Sequence, residues 1–176
     1  NNLRTISNNK NMGKGYSITK GIIKSKGSLI LITDADLSAP IDEFLKLKQY
    51  IGPKYNFVIG SRGKKDSKIR IKQNIIRIIM GETFNLFVRK ILKLDYKDTQ
   101  CGFKLFQGDK VRDIINSCRV NGFCIDVEIL FLAKKYNISV YEKGITWNND
   151  SRSSVNLISD PLSMFIDLIK IRFRKY

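Results

Sequence analysis

A chain of 176 residues that is 43% hydrophobic has enough apolar mass for one domain with its own core, and 32 lysines and arginines against 16 acids leave it at +16, suited to anionic partners. With no histidine it has no imidazole base, no Ser-His-Asp triad and no histidine-ligated zinc centre, so its chemistry rests on carboxylates, hydroxyls, amines or a metal. Cys101, Cys118 and Cys124 are odd in number and lack Cys-x-x-Cys spacing, which argues for small core residues in a reducing compartment, and no run approaches the ~18–20 apolar residues of a membrane span.

Residues 1–12 are polar and read as a loop, after which Gly13-Lys14-Gly15 leads into a helix near 16–25 with Ile18, Ile22 and Ile23 on one side. Leu29-Ile30-Leu31-Ile32 follows, a run of large aliphatics that suits a strand covered on both faces, and it runs into Asp34 and Asp36. If the extended geometry persists to Asp36, both carboxylates point to one side. Two hard oxygen donors there can hold Mg²⁺ or Mn²⁺ and leave positions for a diphosphate. The competing reading is a strand-end turn in which an Asp caps the next helix.

Pro40, Asp42 and Glu43 open a second helix, whose buried stripe is expected at Ile41, Phe44, Leu45, Lys48 and Ile51. Gly52-Pro53 stops it, and residues 56–60 form the next strand, delivering Ser61 and Arg62 at its end. The order helix, strand, helix, strand predicts a mostly parallel sheet with covering helices. Residues 68–93 then set Ile71, Ile75, Ile78, Ile79, Leu86, Phe87, Ile91 and Leu92 at helical intervals among Arg70, Lys72, Arg77, Arg89, Lys90 and Lys93. This predicts a basic amphipathic helix, broken or bent at Gly81.

A polar turn, Asp98-Thr99-Gln100-Cys101-Gly102-Phe103, precedes a strand to Phe106, helices near 109–117 and 125–136, and strands near 138–142 and 144–147. Asp160-Pro161 starts a last helix with Leu162, Phe165, Ile166, Ile169 and Phe173 along one stripe and Lys170, Arg172, Arg174 and Lys175 beside it. The domain expected is 1–159, with the basic helix at about 69–94 inside it and 160–176 as a second amphipathic helix.

Lys14-Gly15, the Asp34/Asp36 pair, Gly60-Ser61-Arg62 and the 98–103 turn, in that order and at those separations, resemble the polyprenyl-phosphate glycosyltransferases of glycosyltransferase family 2. The likeness is greatest to the dolichyl-phosphate β-glucosyltransferases. Leu37-Ser38-Ala39-Pro40, Phe123-Cys124-Ile125-Asp126-Val127-Glu128-Ile129-Leu130, and Trp147 ahead of residues 150–154 extend it over nearly the whole chain.

The resemblance implies an α/β domain of GT-A fold, a nucleotide-sugar donor, a divalent cation (Mg²⁺ or Mn²⁺), a polyprenyl or dolichyl phosphate acceptor, and inversion at the anomeric carbon. UDP-glucose is favoured over GDP-mannose because 98–106 and 123–130 look like the glucosyl branch. It implies that Lys14 and Gln100 meet the donor, that Asp34 sits near the donor's ribose and the metal, and that Asp36 holds the cation neutralising the departing diphosphate. Arg62 and Arg70 would face the acceptor phosphate. Asp98 would face the reaction centre and orient sugar or acceptor, since a lipid phosphate is already anionic and needs no strong base.

Each residue also has a plainer reading: a solvated lysine for Lys14, a helix face for Arg70, a turn former for Asp98, a turn hydrogen bond for Gln100. Asp126 and Glu128 read as supports or caps, and Trp147 as a core or interfacial tryptophan more readily than a sugar platform. The resemblance places the protein on a membrane surface at its cytoplasmic face, endoplasmic reticulum or plasma membrane. There the two basic helices would bind anionic lipid with ~1 kcal/mol per basic residue, unless their stripes pack on the core instead.

One departure stands out. The family opens with a strand carrying a Pro-Ala-Tyr-Asn-Glu-like segment that helps bind the base, and this chain opens at Asn1 without it. The expectation is a domain lacking its first strand and helix, with weak or no activity alone. Alternatives are an undecaprenyl-phosphate or mannosyl enzyme, a non-catalytic membrane-associated domain, and a basic nucleic-acid-binding module. Nucleic acid is not expected, because the basic stripes flank aliphatic faces rather than exposed aromatics.

Overall fold

The computed structural model describes residues 3–71, 74–148 and 159–176. In chain order the elements are α1 (Lys14–Lys24), β1 (Leu29–Ile32), α2 (Glu43–Lys48), β2 (Phe57–Ser61), β3 (Lys68–Ile71), α3 (Ile75–Leu92), β4 (Lys104–Gln107), α4 (Gly108–Ile115), α5 (Ile125–Lys135), β5 (Val140–Gly144), β6 (Thr146–Asn148) and α6 (Ser159–Phe173). The main sheet has the order β1-β4-β2-β5. β1, β2 and β5 run one way, and β4 runs against them, with Leu31 opposite Leu105, Phe57 opposite Phe106 and Phe57 opposite Val140. An aliphatic run reports that a strand is covered, not its direction, so the reversed β4 had no signature. β3 and β6 form a separate parallel pair.

Alternation along β2 splits the core into layers. Phe57 faces a cluster with Ile22, Phe106, Ile114, Ile125 and Ile129, packed under α1, α4 and α5, where the Phe57 and Phe106 rings meet edge to face at 4.6 Å. Ile59 faces a second cluster with Phe84, Val88, Leu130, Leu168 and Ile171, which gathers α3, α5 and α6. Val58 points the other way, to Leu47, Phe103, Leu105, Ile145 and Trp147. All five residues of β2 are therefore buried, each large aliphatic or aromatic contributing about 1.5–3 kcal/mol of transfer free energy.

Three local expectations are corrected. Residues 68–71 are strand rather than helix; the helix starts at Ile75, capped by Asn74, whose Oδ1 accepts the Ile76 N–H at 2.9 Å. Gly81 lies within the 18 continuous residues of α3 and does not break it. α2 is only one and a half turns long and buries Glu43 and Leu47, while Ile41 and Leu45 are exposed, because the turn at 40–42 shifts the inward face by two residues.

The stripe along α6 is in place but faces outward. Leu162, Phe165, Ile166, Ile169 and Phe173 are between 37% and 77% exposed, and the helix packs through Leu168 and Ile171 instead. α3 behaves alike: Ile75, Ile76, Ile79, Leu86 and Phe87 are exposed, whereas Phe84, Asn85, Val88 and Leu92 are buried. The two outer faces join where the Phe87 and Phe165 rings meet at 5.4 Å.

Candidate active site

β1 and β2 run the same way, so Asp34 and Arg62 emerge at the same rim of the sheet. Lys14 meets that rim because Gly13 takes a positive φ of 90° and lies against the 121–122 backbone; a Cβ there would approach the Asn121 carbonyl oxygen to 2.2 Å. The Gly15 N–H then donates to that carbonyl at 2.7 Å.

Four side chains form one alternating chain of charge. Lys14 Nζ lies 3.0 Å from Asp34 Oδ1 and 3.1 Å from Asp126 Oδ2, and Lys104 Nζ lies 2.6 Å from Asp126 Oδ1 while donating to the Cys101 carbonyl. Lys104 and Asp126 are 0% and 1% exposed, a depth at which charge persists only when paired. Burial alone would lower the pKa of Lys14, but Asp126 and Asp34 outweigh it and hold the ammonium above its ordinary value. Burial likewise opposes ionisation of Asp126, and the two lysines overcome it, keeping its pKa below the ordinary range.

The extended geometry ends at Ile32. Residues 34–38 turn tightly: the Leu37 N–H donates to the Asp34 carbonyl at 3.1 Å, Leu37 is left-handed at φ 51°, and Asp36 Oδ1 accepts the Ser38 N–H at 2.9 Å. Asp36 is exposed and Asp34 is turned to Lys14, so the carboxylate pair is not a strand-borne pair of like-pointing donors. Among the described residues no group of three or more Cys, Asp or Glu side chains could hold a metal unaided. The donor set fits a hard divalent cation only with further oxygens from a diphosphate and water.

The second half of the rim is the pair Arg62 and Asp98. Arg62 Nε donates to Asp98 Oδ2 at 2.7 Å and Nη2 to Oδ1 at 2.9 Å, with the Arg62 backbone N–H also on Oδ2 at 2.9 Å. Such a two-pronged pair fixes the plane of the guanidinium. Burial pushes the Asp98 carboxyl up, but the Arg62 charge and hydrogen bonds prevail and hold it down at about 2. The loop is pinned further by the Asp98 N–H on Glu142 Oε1 at 2.8 Å, and the guanidinium sits 5.0 Å from the Trp147 ring. Burial, with the Asp98 charge, pushes the Cys101 thiol up to about 12, so the cysteine beside the site is a packing residue.

Arg62, Asp98, Gln100 and Trp147 line a groove of about 650 Å³, whose other walls combine apolar residues of β3, α3 and α6, among them Ile69, Ile75, Ile78, Phe84 and Met164, with Arg77, Glu82, Asn85 and Lys97. The structure thus brings Lys14 to Asp34, and Arg62 to Asp98 and Gln100. It leaves Arg70 on exposed β3, outside the lining, where Arg77 and Lys97 stand instead. Asp126, read from the sequence as a support or cap, is a support that holds Lys14; sequence reasoning left out Lys104, which pairs with Asp126, and Asn85, which holds the 96–99 loop. Glu128 supports from further back, accepting the Arg119 and Val120 N–H groups at 2.9 and 2.8 Å. The 150–154 segment lies outside the described residues.

Residues 1–115 match the family described as glycosyl transferase family 2. The chain is 33% identical to a dolichyl-phosphate β-glucosyltransferase of Dictyostelium discoideum, over 98% of this chain and 54% of that protein. It is 34% identical to one from Trichomonas vaginalis, over 96% and 51%, and 29% identical to the human one, over 98% and 55%. The chain spans about half the length of these relatives. Among solved structures it resembles glucosyl-3-phosphoglycerate synthase from Mycobacterium tuberculosis in complex with Mn²⁺ and UDP-glucose, with a TM-score of 0.62 at 12% identity over 91% of this chain and 54% of that one.

Fold and rim together define an α/β domain of GT-A architecture with a charged site at the end of its parallel strands. The chain belongs to glycosyltransferase family 2.

Proposed function

We propose that this chain is the catalytic part of an inverting glucosyltransferase that moves glucose from UDP-glucose to dolichyl or another polyprenyl phosphate at a membrane surface. The observation that carries the reading is the placement of Arg62, clamped by Asp98, in a groove that sets charged residues, Arg62, Arg77, Lys97, Asp98 and Glu82, beside an aliphatic and aromatic wall. An amphiphile with an anionic phosphate head and an isoprenoid tail has that polarity. The relatives named above as dolichyl-phosphate β-glucosyltransferases, matched along nearly all of this chain, support the same substrate.

In the reaction a phosphate oxygen of the acceptor bonds to the anomeric carbon as the bond from that carbon to the nucleotide diphosphate breaks. Arg62 supplies a charge that persists at any working pH, oriented by Asp98 toward the incoming phosphate. Asp98, at about 2, is already ionised and saturated by Arg62, so it orients rather than abstracts a proton. Lys14 is held charged where the donor diphosphate approaches. Asp34 and Asp36 would hold Mg²⁺ or Mn²⁺, which when bound balances charge on the departing diphosphate. The solved neighbour holding Mn²⁺ and UDP-glucose supports a divalent cation with a UDP-sugar donor.

The outward aliphatic faces of α3 and α6, flanked by Arg77, Arg89, Lys90, Lys170 and Arg172, support seating in the headgroup layer. Among the described residues no helix is long and apolar enough to cross a membrane. The test, made in the whole protein, is transfer of radiolabelled sugar to dolichyl phosphate from UDP-glucose or from GDP-mannose. The reading expects glucosyl product and loss of it in Arg62→Ala; mannosyl product alone would move the donor assignment, and no product with either donor would overturn the reading.

A further inference from the structure

We propose that Asn85 is a positioning residue for the acceptor site: its carboxamide fastens the 96–99 loop, and through that loop Asp98 and Arg62, to the inner side of the membrane-facing helix α3. The inference rests on the assignment of Arg62 and Asp98 to the acceptor phosphate made above.

Four residues of α3 are buried, Phe84, Asn85, Val88 and Leu92, and Asn85 is the polar one. A buried carboxamide is costly unless its valences are met. Here they are all spent on one loop. Nδ2 donates to the Tyr96 carbonyl at 3.3 Å and to the Lys97 carbonyl, and Oδ1 accepts from Thr99 Oγ1 at 3.0 Å. The bonded residues are 96, 97 and 99, so the residue bracketed between them is Asp98, whose own side chain is taken up by Arg62. A leucine at 85 would serve packing as well, yet would leave two carbonyls and a buried hydroxyl without partners; core formation alone does not account for an asparagine there.

The helix geometry gives the clamp its consequence. Leu86 and Phe87, next in the chain, are on the exposed aliphatic face, so the outward contact and the inward clamp lie within one helical turn. The depth at which α3 rests in the headgroup layer therefore sets the height of the Asp98–Arg62 pair, and a lipid phosphate is confined to that layer. Asn85 itself also lines the groove, whereas Thr99 is fully buried and does not. That difference separates positioning from direct contact with the acceptor.

The experiment measures donor and acceptor KM separately in the whole protein, with UDP-glucose and farnesyl phosphate, for Asn85→Ala, Thr99→Val and the double variant, each checked for folding by thermal melt. Thr99→Val keeps shape and guards against a misfolded Asn85→Ala. The expected result is an acceptor KM raised about tenfold in Asn85→Ala and about threefold in Thr99→Val, donor KM within about twofold, and a double variant no worse than Asn85→Ala, as one shared linkage requires. A silent Thr99→Val, or equal changes in donor and acceptor KM, overturns the inference. Arg62→Ala serves as the control: if it raises acceptor KM while neither loop variant does, positioning by Asn85 is wrong and the acceptor assignment stands. If Arg62→Ala leaves acceptor KM unchanged, the assignment itself fails and the inference with it.

Discussion

The carboxylate of Asp34 lies directly over the α-carbon of Gly102: a Cβ on that glycine would come within 1.9 Å of Asp34 Oδ2. Two segments almost seventy residues apart, the acidic turn after β1 and the turn before β4, are interlocked at this point. The three nearest atoms that Gly102→Ala would meet all belong to the short Asp34 side chain, so the protein is expected to fold. Asp34 must then swing off Lys14. A loss of at least about tenfold in UDP affinity, with unfolding free energy lowered by no more than about 1–3 kcal/mol, is the expected pattern in calorimetry and denaturant titration.

Asp126 is the keystone of the lysine pair, and its removal strands the fully buried Lys104 ammonium and leaves Lys14 with Asp34 alone. Asp126→Ala should cost about 3–5 kcal/mol in urea unfolding, as breaking a buried pair does. Lys104→Met with Asp126→Leu removes both charges and should recover much of that stability, yet leave Lys14 misplaced and donor binding weak. Recovery of both together would show that Asp126 does not hold Lys14 in place.

The Arg62–Asp98 pair ties stability to pH. Asp98 ionises at about 2 in the fold against 3.8 ordinarily, a depressed value, so its contribution is fully present above the ordinary pKa and fades as pH falls from about 4 toward 2. The contribution at neutral pH is about 2 kcal/mol. Acid titration of Asp98→Asn should show a flatter stability curve across that window. An unchanged slope would mean that the pair adds nothing.

The outer faces of α3 and α6 predict two separable components of membrane binding. Charge reversal at Arg77 and Arg89 should weaken sedimentation with phosphatidylserine vesicles by about 1 kcal/mol or more per site and leave neutral vesicles unaffected. Ile79→Ser with Ile166→Ser should weaken binding to both. Binding insensitive to either pair would show that these faces lie elsewhere.

Much of this was legible from residue pattern. Lys14, Asp34, Arg62 and Asp98 do gather at one rim: Asp34 and Arg62 follow the ends of the like-directed β1 and β2, Asp98 lies in the turn before the reversed β4, and Lys14 is brought there by the Gly13 contact. What escaped had physical causes. Lys68-Ile69-Arg70-Ile71 alternates with period two as well as it fits a helix, since Ile71 and Ile75 are four apart, and Arg70 was carried to the wrong element by that ambiguity. The turn at 34–38 depends on a left-handed Leu37, a conformation that leucine does not advertise. The partners of Asp126, Lys14 and Asn85 are distant in sequence, and no local spacing encodes an ion pair or a loop clamp. The α3 and α6 stripes were visible as stripes, but periodicity gives a face and not what covers it.

The proposed transfer depends on charge balance at Asp34 and Asp36, where a bound divalent cation would offset the diphosphate that leaves as glucose passes to the lipid phosphate. Asp36→Asn tests it most directly, because the amide oxygen still accepts the Ser38 N–H and keeps the turn while the charge is lost. Glucose transfer from UDP-glucose to dolichyl phosphate, measured across a Mn²⁺ titration, should fall by at least about a hundredfold in this variant, with an unchanged thermal melt. Wild-type turnover and wild-type Mn²⁺ dependence in Asp36→Asn would show that this carboxylate does not hold the cation.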